Sequence, residues 1–271
     1  MLTKATASTG KTHTWSQDEK TVLVGAAREA PPRRLGGGWV MGIDGGVIDL
    51  YERPGVPVLG GDRTGRARLI GCGAVLANLE VAVRVLGWVP RTGFGGTPAE
   101  PDRVARIVSG TRAAPTARDR ARYCAVFGRA IESEVDRLWL SDRLVRRLRP
   151  WLQGSGVYIR ALREERAETR MRRRCLPVGG DGRSCDCVAV AVDTETRSQL
   201  VKVGRVAQYL LLAAAELGVE GRLETKPFAY PGTRAEKAAA LGMPGLAELL
   251  VTIAIPDGVR GPVDGPVRPA A

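Results

Sequence analysis

Two segments of this chain repeat each other at a fixed spacing, and this repeat constrains the fold more than any other feature. Residues 73–91 read GAVLANLEVAVRVLGWVPR, and residues 204–222 read GRVAQYLLLAAAELGVEGR. Aligned without gaps, they share Gly, Val, Leu, Ala, Leu, Gly and Arg at matching positions. Both are apolar on nearly every side at helical spacing, which is typical of buried helices. The repeat predicts two related halves whose buried helices pack on each other, with chance similarity of two Ala- and Leu-rich helices as the alternative.

Local patterns predict an alternation of helices and strands around these two segments. The sequence Ser16-Gln17-Asp18-Glu19 has the form of a capping box and predicts a helix over residues 17–29. The turn residues Asp44-Gly45-Gly46 separate two β-rich runs and predict a hairpin. The other expected elements are a buried helix over 67–88, a strand over 88–94, charge-rich helices within 116–175, a buried strand from Cys187, a second buried helix over 198–219 and a final strand over 248–256.

These elements divide the chain into four parts. We expect a flexible leader over residues 1–15, a first half over 16–112, a second half over 113–256 and an extended Gly- and Pro-rich tail over 257–271. No apolar stretch reaches the roughly 20 residues that a membrane span needs, and the N-terminus lacks the apolar core of a secretory signal. The sequence therefore predicts a cytoplasmic protein that does not enter a membrane.

Composition narrows the chemistry without identifying it. The 41 Lys and Arg residues exceed the 29 Asp and Glu residues and give a net charge of +12, but aromatic residues make up only 5% of the chain. Of the five cysteines, only Cys185 and Cys187 are close in sequence, and His13 is the single histidine, so no zinc-ligand set is visible. No Ser-His-Asp, Cys-His or phosphate-loop arrangement is present. We therefore predict no metal site and name no catalytic residue.

Three blocks of sequence resemble the nitroreductase superfamily, specifically its Acg-like branch, in which one chain contains two related halves. The blocks are WSQDEKTVLVGAAREAP with the following Trp39, IDLYERP to VRVLGW, and KVGRVAQYLLLAAAELG to AIP. The resemblance implies an α+β fold with two pseudo-symmetric halves and a central mixed or antiparallel sheet flanked by helices. It also implies FMN held where the halves or subunits meet, and NAD(P)H as the electron donor for nitroaromatics or quinones.

The residues that match the family's flavin-contacting motifs are incomplete. The loop of form A-P-S-x-x-N-x-Q-P-W corresponds to residues 30–39, where the family's Ser, Asn and Gln are replaced. The Q-P-x-E loop corresponds to residues 226–229 and keeps only Pro227, and the terminal P-x-R-P corresponds to residues 266–269, in which Arg268 is the residue expected to bind a phosphate. The Arg- and Asn-rich element expected after the midpoint is replaced by a segment that contains Glu132 and Glu134.

Three functions remain open from the sequence. The first is an FMN-dependent NAD(P)H oxidoreductase of the nitroreductase type. The second is a degenerate, non-catalytic member of that family that binds or sequesters flavin, another small aromatic molecule or a protein partner. The third is an anion- or nucleic-acid-binding module, suggested by the Arg clusters RDRAR, RRLR and RMRRR but opposed by the interleaved glutamates and the few aromatic residues. The chain could also pair with a second copy as a homodimer.

Overall fold

The first half of the chain folds as the helix and strand patterns predict. A computed structural model describes residues 13–30, 38–55, 64–128, 140–162 and 185–254. In the first half it contains, in order, α1 (Gln17–Arg28), β1 (Trp39–Asp44), β2 (Val47–Glu52), α2 (Arg66–Val85), β3 (Trp88–Phe94) and β4 (Arg103–Arg112), and α3 (Ala117–Val126) begins the second half. The strand β4 ends at Arg112, where the first half was expected to end.

Local hydrogen bonds account for the beginnings of these elements. The Ser16 hydroxyl accepts a hydrogen bond from the Glu19 backbone N–H, and the Glu19 carboxylate accepts one from the Ser16 backbone N–H, which is the predicted capping box. The hairpin of β1 and β2 turns at Gly45, whose φ of 52° is easily adopted only without a side chain. Just before α1, Trp15 is buried and its backbone N–H bonds to the Gly45 carbonyl, so the described end of the predicted leader packs on the first sheet.

After α3, the second half has the element order of the first half, with one additional helix between its last two strands. It contains α4 (Leu140–Leu152), β5 (Val157–Leu162), β6 (Cys185–Val192), α5 (Arg197–Ala215), β7 (Glu220–Glu224), α6 (Arg234–Ala240) and β8 (Leu246–Ala254). Between β7 and α6 lie two single 3₁₀ turns, Lys226–Phe228 and Pro231–Thr233. A helix, two strands, a long buried helix and two more strands thus occur in the same order in each half.

One helical prediction was wrong. The charge-rich stretch after α4 was expected to continue as helix, but Val157–Leu162 is the strand β5 and pairs with β6 in antiparallel register. Its sequence, VYIRAL, begins with β-branched and aromatic residues, and pairing with a fully buried neighbouring strand outweighs the helical spacing of the arginines. The rest of that stretch, residues 163–175, lies outside the described residues.

The protein is a mixed α+β fold, but its strands are divided between two sheets. The described residues form two antiparallel four-stranded sheets in the orders β1-β2-β4-β3 and β5-β6-β8-β7, where a single central sheet was expected. The sheets remain separate because the pair α2 and α5 lies between them, with α2 packed on the first sheet and α5 on the second. One apolar core joins both helices to the inner faces of both sheets.

Helices α2 and α5 cross at a point where their backbones touch. A Cβ atom added to Gly73 would lie 2.0 Å from the carbonyl oxygen of Val201, and one added to Gly204 would lie 1.8 Å from that of Ile70. Only glycine fits at either position, because real Cβ atoms do not approach other atoms so closely. These are the first glycines of the two repeated segments, so the repeat marks the crossing point.

We expect Gly204→Ala to destabilise the protein strongly, because the helices must separate to admit a methyl group. Overpacking of this kind costs about 1–3 kcal/mol or more. Gly25→Ala in α1 is the matched control: its added Cβ meets nothing within 4 Å, so it should be neutral or stabilising by up to about 1 kcal/mol. Urea unfolding of both variants measures the difference, and equal stabilities would contradict the assigned crossing.

Candidate functional site

Two cavities lie where the halves meet, and each takes residues from both. The central cleft has a volume of about 480 Å³ and lies between α2, β3, α3 and α5. The junction cavity has a volume of about 370 Å³ and lies between the β3–β4 loop and the first turn of α5. Both volumes fall within the range of about 300–1,000 Å³ that is typical of small-molecule sites.

A buried carboxylate forms one wall of the central cleft. Glu80 of α2 is 2% exposed, and its carboxylate accepts hydrogen bonds from Arg205 Nε at 2.7 Å, from the Tyr209 hydroxyl at 2.9 Å and from the Thr92 hydroxyl. Burial, and then the nearby Glu80 charge, raises the pKa of Tyr209 well above its usual value, so this phenol remains a neutral donor. The network joins the two halves through charged and polar groups beside the apolar helix crossing.

Three arginines gather around one carboxylate at the mouth of the same cleft. Arg122 Nε lies 2.7 Å from Glu216 Oε1, and Arg147 Nη2 pairs with Glu216 Oε2, so both oxygens of this carboxylate are occupied. Arg118 lies one turn before Arg122 on α3. Its side chain makes no hydrogen bond or ion pair with any described residue. Burial and the positive charges of Arg122 and Arg147 lower the pKa of Arg118. Among the described residues that line this cleft, Arg118 is therefore the cation whose guanidinium is not hydrogen-bonded or ion-paired to a carboxylate.

Aromatic rings and cations alternate along the cleft. The Tyr209 ring centroid lies 5.6 Å from the guanidinium carbon of Arg122 and 5.6 Å from that of Arg205. The Phe94 ring centroid lies 5.9 Å from the same carbon of Arg205 and 5.4 Å from Lys202 Nζ. Cations at these distances interact favourably with ring faces. The wall therefore offers flat apolar surface and positive charge together.

The junction cavity is the smaller of the two. Gly96 forms part of its rim, and a Cβ added there would lie 2.2 Å from the Glu100 carbonyl oxygen, so the loop closes tightly. Arg103 is 7% exposed and ion-pairs with Glu100 at 2.8 Å, while its Nε finds no hydrogen-bond partner among the described residues. The hydroxyl residues Thr196 and Ser198, at the start of α5, line the opposite side.

The residues predicted from flavin motifs do not line either cavity where they are described. Pro227 lies in the first 3₁₀ turn, where its carbonyl accepts a hydrogen bond from Lys237 Nζ, and the adjacent Phe228 is fully buried in a small separate core. Arg268, Glu132, Glu134 and residues 31–37 lie outside the described residues, so the roles expected of them remain predictions. Trp39 begins β1.

The sequence did not single out the residues that form the central cleft. Glu80 and Arg205 are charged residues within the apolar repeated segments of two helices, and that interruption was the available signal. Arg118 and Arg122 are four residues apart on an exposed, charge-rich helix, a pattern that usually indicates only a solvated face. Their convergence depends on the packing of α3 against α2 and α5.

Several other kinds of site find no support in the described parts of the chain. Within those ranges, no group of three or more His, Cys, Asp or Glu residues could hold a metal ion. No helix there is long and apolar enough to cross a membrane. Comparison with known proteins found no matching family model and no matching curated protein.

Asp119 makes the stability of the α3 region depend on pH. Burial raises the pKa of Asp119, but hydrogen bonds from Arg84 and Thr116 outweigh it and lower that pKa from 3.8 to about 2. A depressed pKa means that the ionised carboxylate stabilises the fold above the unfolded-state pKa. That contribution is lost as the pH falls through the folded-state pKa of about 2.

We therefore expect Asp119→Asn to lower the free energy of unfolding by about 1–2 kcal/mol at pH 7 and to differ less from the unmodified protein below about pH 3. Denaturant unfolding over this pH range measures the effect. Asp18→Asn in the first turn of α1 is a control, because Asp18 has no ion pair among the described residues. A loss for Asp119→Asn that is the same at every pH would contradict the assigned ion pair.

Proposed function

We propose that this protein binds FMN where its two halves meet and acts as an NAD(P)H-dependent oxidoreductase of the nitroreductase type on nitroaromatics or quinones. The observation that carries the proposal is the repetition of one order of elements and one sheet order in both halves, with the two central helices in backbone contact. This repetition supports the two-half arrangement that the sequence resemblance implies.

We further propose that the two halves are related by an approximate twofold axis through the helix crossing. Gly73 approaches the Val201 carbonyl and Gly204 approaches the Ile70 carbonyl. The spacing from residue 70 to residue 201 equals the spacing from residue 73 to residue 204. Exchanging the two halves therefore turns each of these contacts into the other. Such exchange is what an isologous, twofold-related contact requires.

The junction cavity has the groups that an FMN phosphate and ribityl chain need. Arg103 and Arg197 supply guanidinium donors, and one of them, Arg103, has a buried Nε without a hydrogen-bond partner among the described residues. Thr196 and Ser198 supply hydroxyls, and the first turn of α5 presents backbone N–H groups, which favour anions. When bound, FMN would supply the hydride-transfer chemistry, while the chain's part is to bind and orient it and to limit access of water.

Absorption spectroscopy of the purified protein tests this proposal. We expect flavin bands, or their appearance as FMN is added, and FMN affinity should fall about tenfold or more in Arg103→Gln, because a charged hydrogen bond contributes about 1.5–3 kcal/mol. Arg106→Gln is the matched control. Arg106 lies on the same strand as Arg103, and both arginines approach Asp49. Arg106 does not line the cavity. A colourless protein that stays colourless with added FMN rejects the proposal.

A second candidate function is a non-catalytic member of the same fold that only binds a ligand. It is favoured by one specific observation, the position of Pro227 and Phe228, which pack into a small core of the second half and line neither cavity. Consumption of NAD(P)H with a nitroaromatic or quinone acceptor, above the rate with free FMN, would exclude this candidate.

A further inference from the structure

We infer that the central cleft is a second ligand site, separate from the proposed FMN site, and that it takes a planar aromatic molecule carrying a dianionic group such as a phosphate monoester. The geometry assigns recognition of the anion to Arg118 and stacking of the ring to the wall of Phe94 and Tyr209. This inference does not depend on FMN binding, because the two cavities share none of the residues that line them.

The charge around the cleft favours a dianion. Its lining and mouth carry five arginines and three carboxylates: Arg84, Arg118, Arg122, Arg147 and Arg205 with Glu80, Asp119 and Glu216. Two positive charges therefore remain unbalanced within this set. Guanidinium groups bind phosphate through paired N–H donors, so a phosphate monoester matches both the charge and the donors.

The excess charge is concentrated at Arg118. Arg84 pairs with Asp119 at 2.8 Å and Arg205 pairs with Glu80 at 2.7 Å, so these two arginines are balanced locally. Glu216 is shared by Arg122 and Arg147, and the Arg118 side chain makes no ion pair with it. Arg118 is exposed enough for a ligand to reach it, yet part of its surface is withdrawn from water beside two other cations. An incoming anion would relieve this repulsion.

The rest of the cleft explains why the ligand should be aromatic. Val89 and Pro90 of β3 and Val81 of α2 add apolar surface next to Phe94 and Tyr209. Cations lie 5.4–5.9 Å from the centroids of these two rings, and these contacts restrict the rings before a ligand arrives. A flat ligand can pack against this surface without reordering it, which reduces the entropic cost of binding.

Glu80 does not oppose an anionic ligand despite its own charge. Its two oxygens accept hydrogen bonds from Thr92, Arg205 and Tyr209, and Arg205 balances its charge. The carboxylate therefore holds Tyr209 and Arg205 in place and acts as a positioning residue of the cleft.

Isothermal titration calorimetry with 1-naphthyl phosphate, 1-naphthol and inorganic phosphate tests the inference on the full chain with no FMN added. We expect 1-naphthyl phosphate to bind at one site per chain, and 1-naphthol and inorganic phosphate each to bind about tenfold or more weakly, since each lacks one half of the recognition.

Arg118→Gln and Arg120→Gln are a matched pair on one helix. Both remove one positive charge from α3, but Arg120 is exposed, bonds to the Pro115 carbonyl and does not line the cleft. We expect 1-naphthyl phosphate affinity to fall about tenfold or more in Arg118→Gln and less than about threefold in Arg120→Gln. If both variants lose the same affinity for 1-naphthyl phosphate, general surface charge explains the loss and the inference is overturned.

Two further outcomes would also overturn it. Equal affinity for 1-naphthol and 1-naphthyl phosphate would remove the role of the anion, and equal affinity for inorganic phosphate and 1-naphthyl phosphate would remove the role of the aromatic wall. Arg103→Gln separates this site from the proposed FMN site, because it should leave 1-naphthyl phosphate binding unchanged. Urea unfolding of each variant checks that the fold is retained.

Discussion

The backbone contact between α2 and α5 is the constraint on which the rest of the structure depends. Gly73 and Gly204 let the two helices approach until each touches a carbonyl oxygen of the other. Helices this close can bury nearly their whole surface, with a sheet on the outer side of each. The order of the four layers, sheet, helix, helix and sheet, follows from the presence of two glycines at equivalent positions in the repeat.

Charged groups appear where the two helices diverge from this crossing. Glu80 of α2 accepts hydrogen bonds from Arg205 and Tyr209 of α5. Nearby, the Asn78 side-chain oxygen accepts a hydrogen bond from the Gln208 side-chain amide at 2.9 Å. Buried polar groups carry a large penalty unless they are paired, so these partners specify one relative position of the halves. Glu80, Arg205 and Tyr209 of this polar layer also line the central cleft, so its walls carry charge.

The two cavities differ in ways that suit different ligands. The junction cavity combines hydroxyl groups, a helix N-terminus and an incompletely hydrogen-bonded arginine, whereas the central cleft combines aromatic rings with an excess of guanidinium groups. Most of the described arginines that line the central cleft pair with carboxylates of other elements. Net charge alone therefore says little about partners, and the position of Arg118, which has no such pair among the described residues, says more.

The sequence by itself determined the capped first helix, the β1–β2 hairpin, the two buried helices and the repeat that relates them, because these depend on local periodicity, capping residues and glycine turns. It did not determine β5, whose conformation is decided by pairing with β6, or the division of the strands into two sheets, which depends on helices packed between them. Only the tertiary structure brought Glu80, Arg118 and Glu216 to one cleft. Residues so far apart in sequence meet only through packing of whole elements, and no local pattern records that packing.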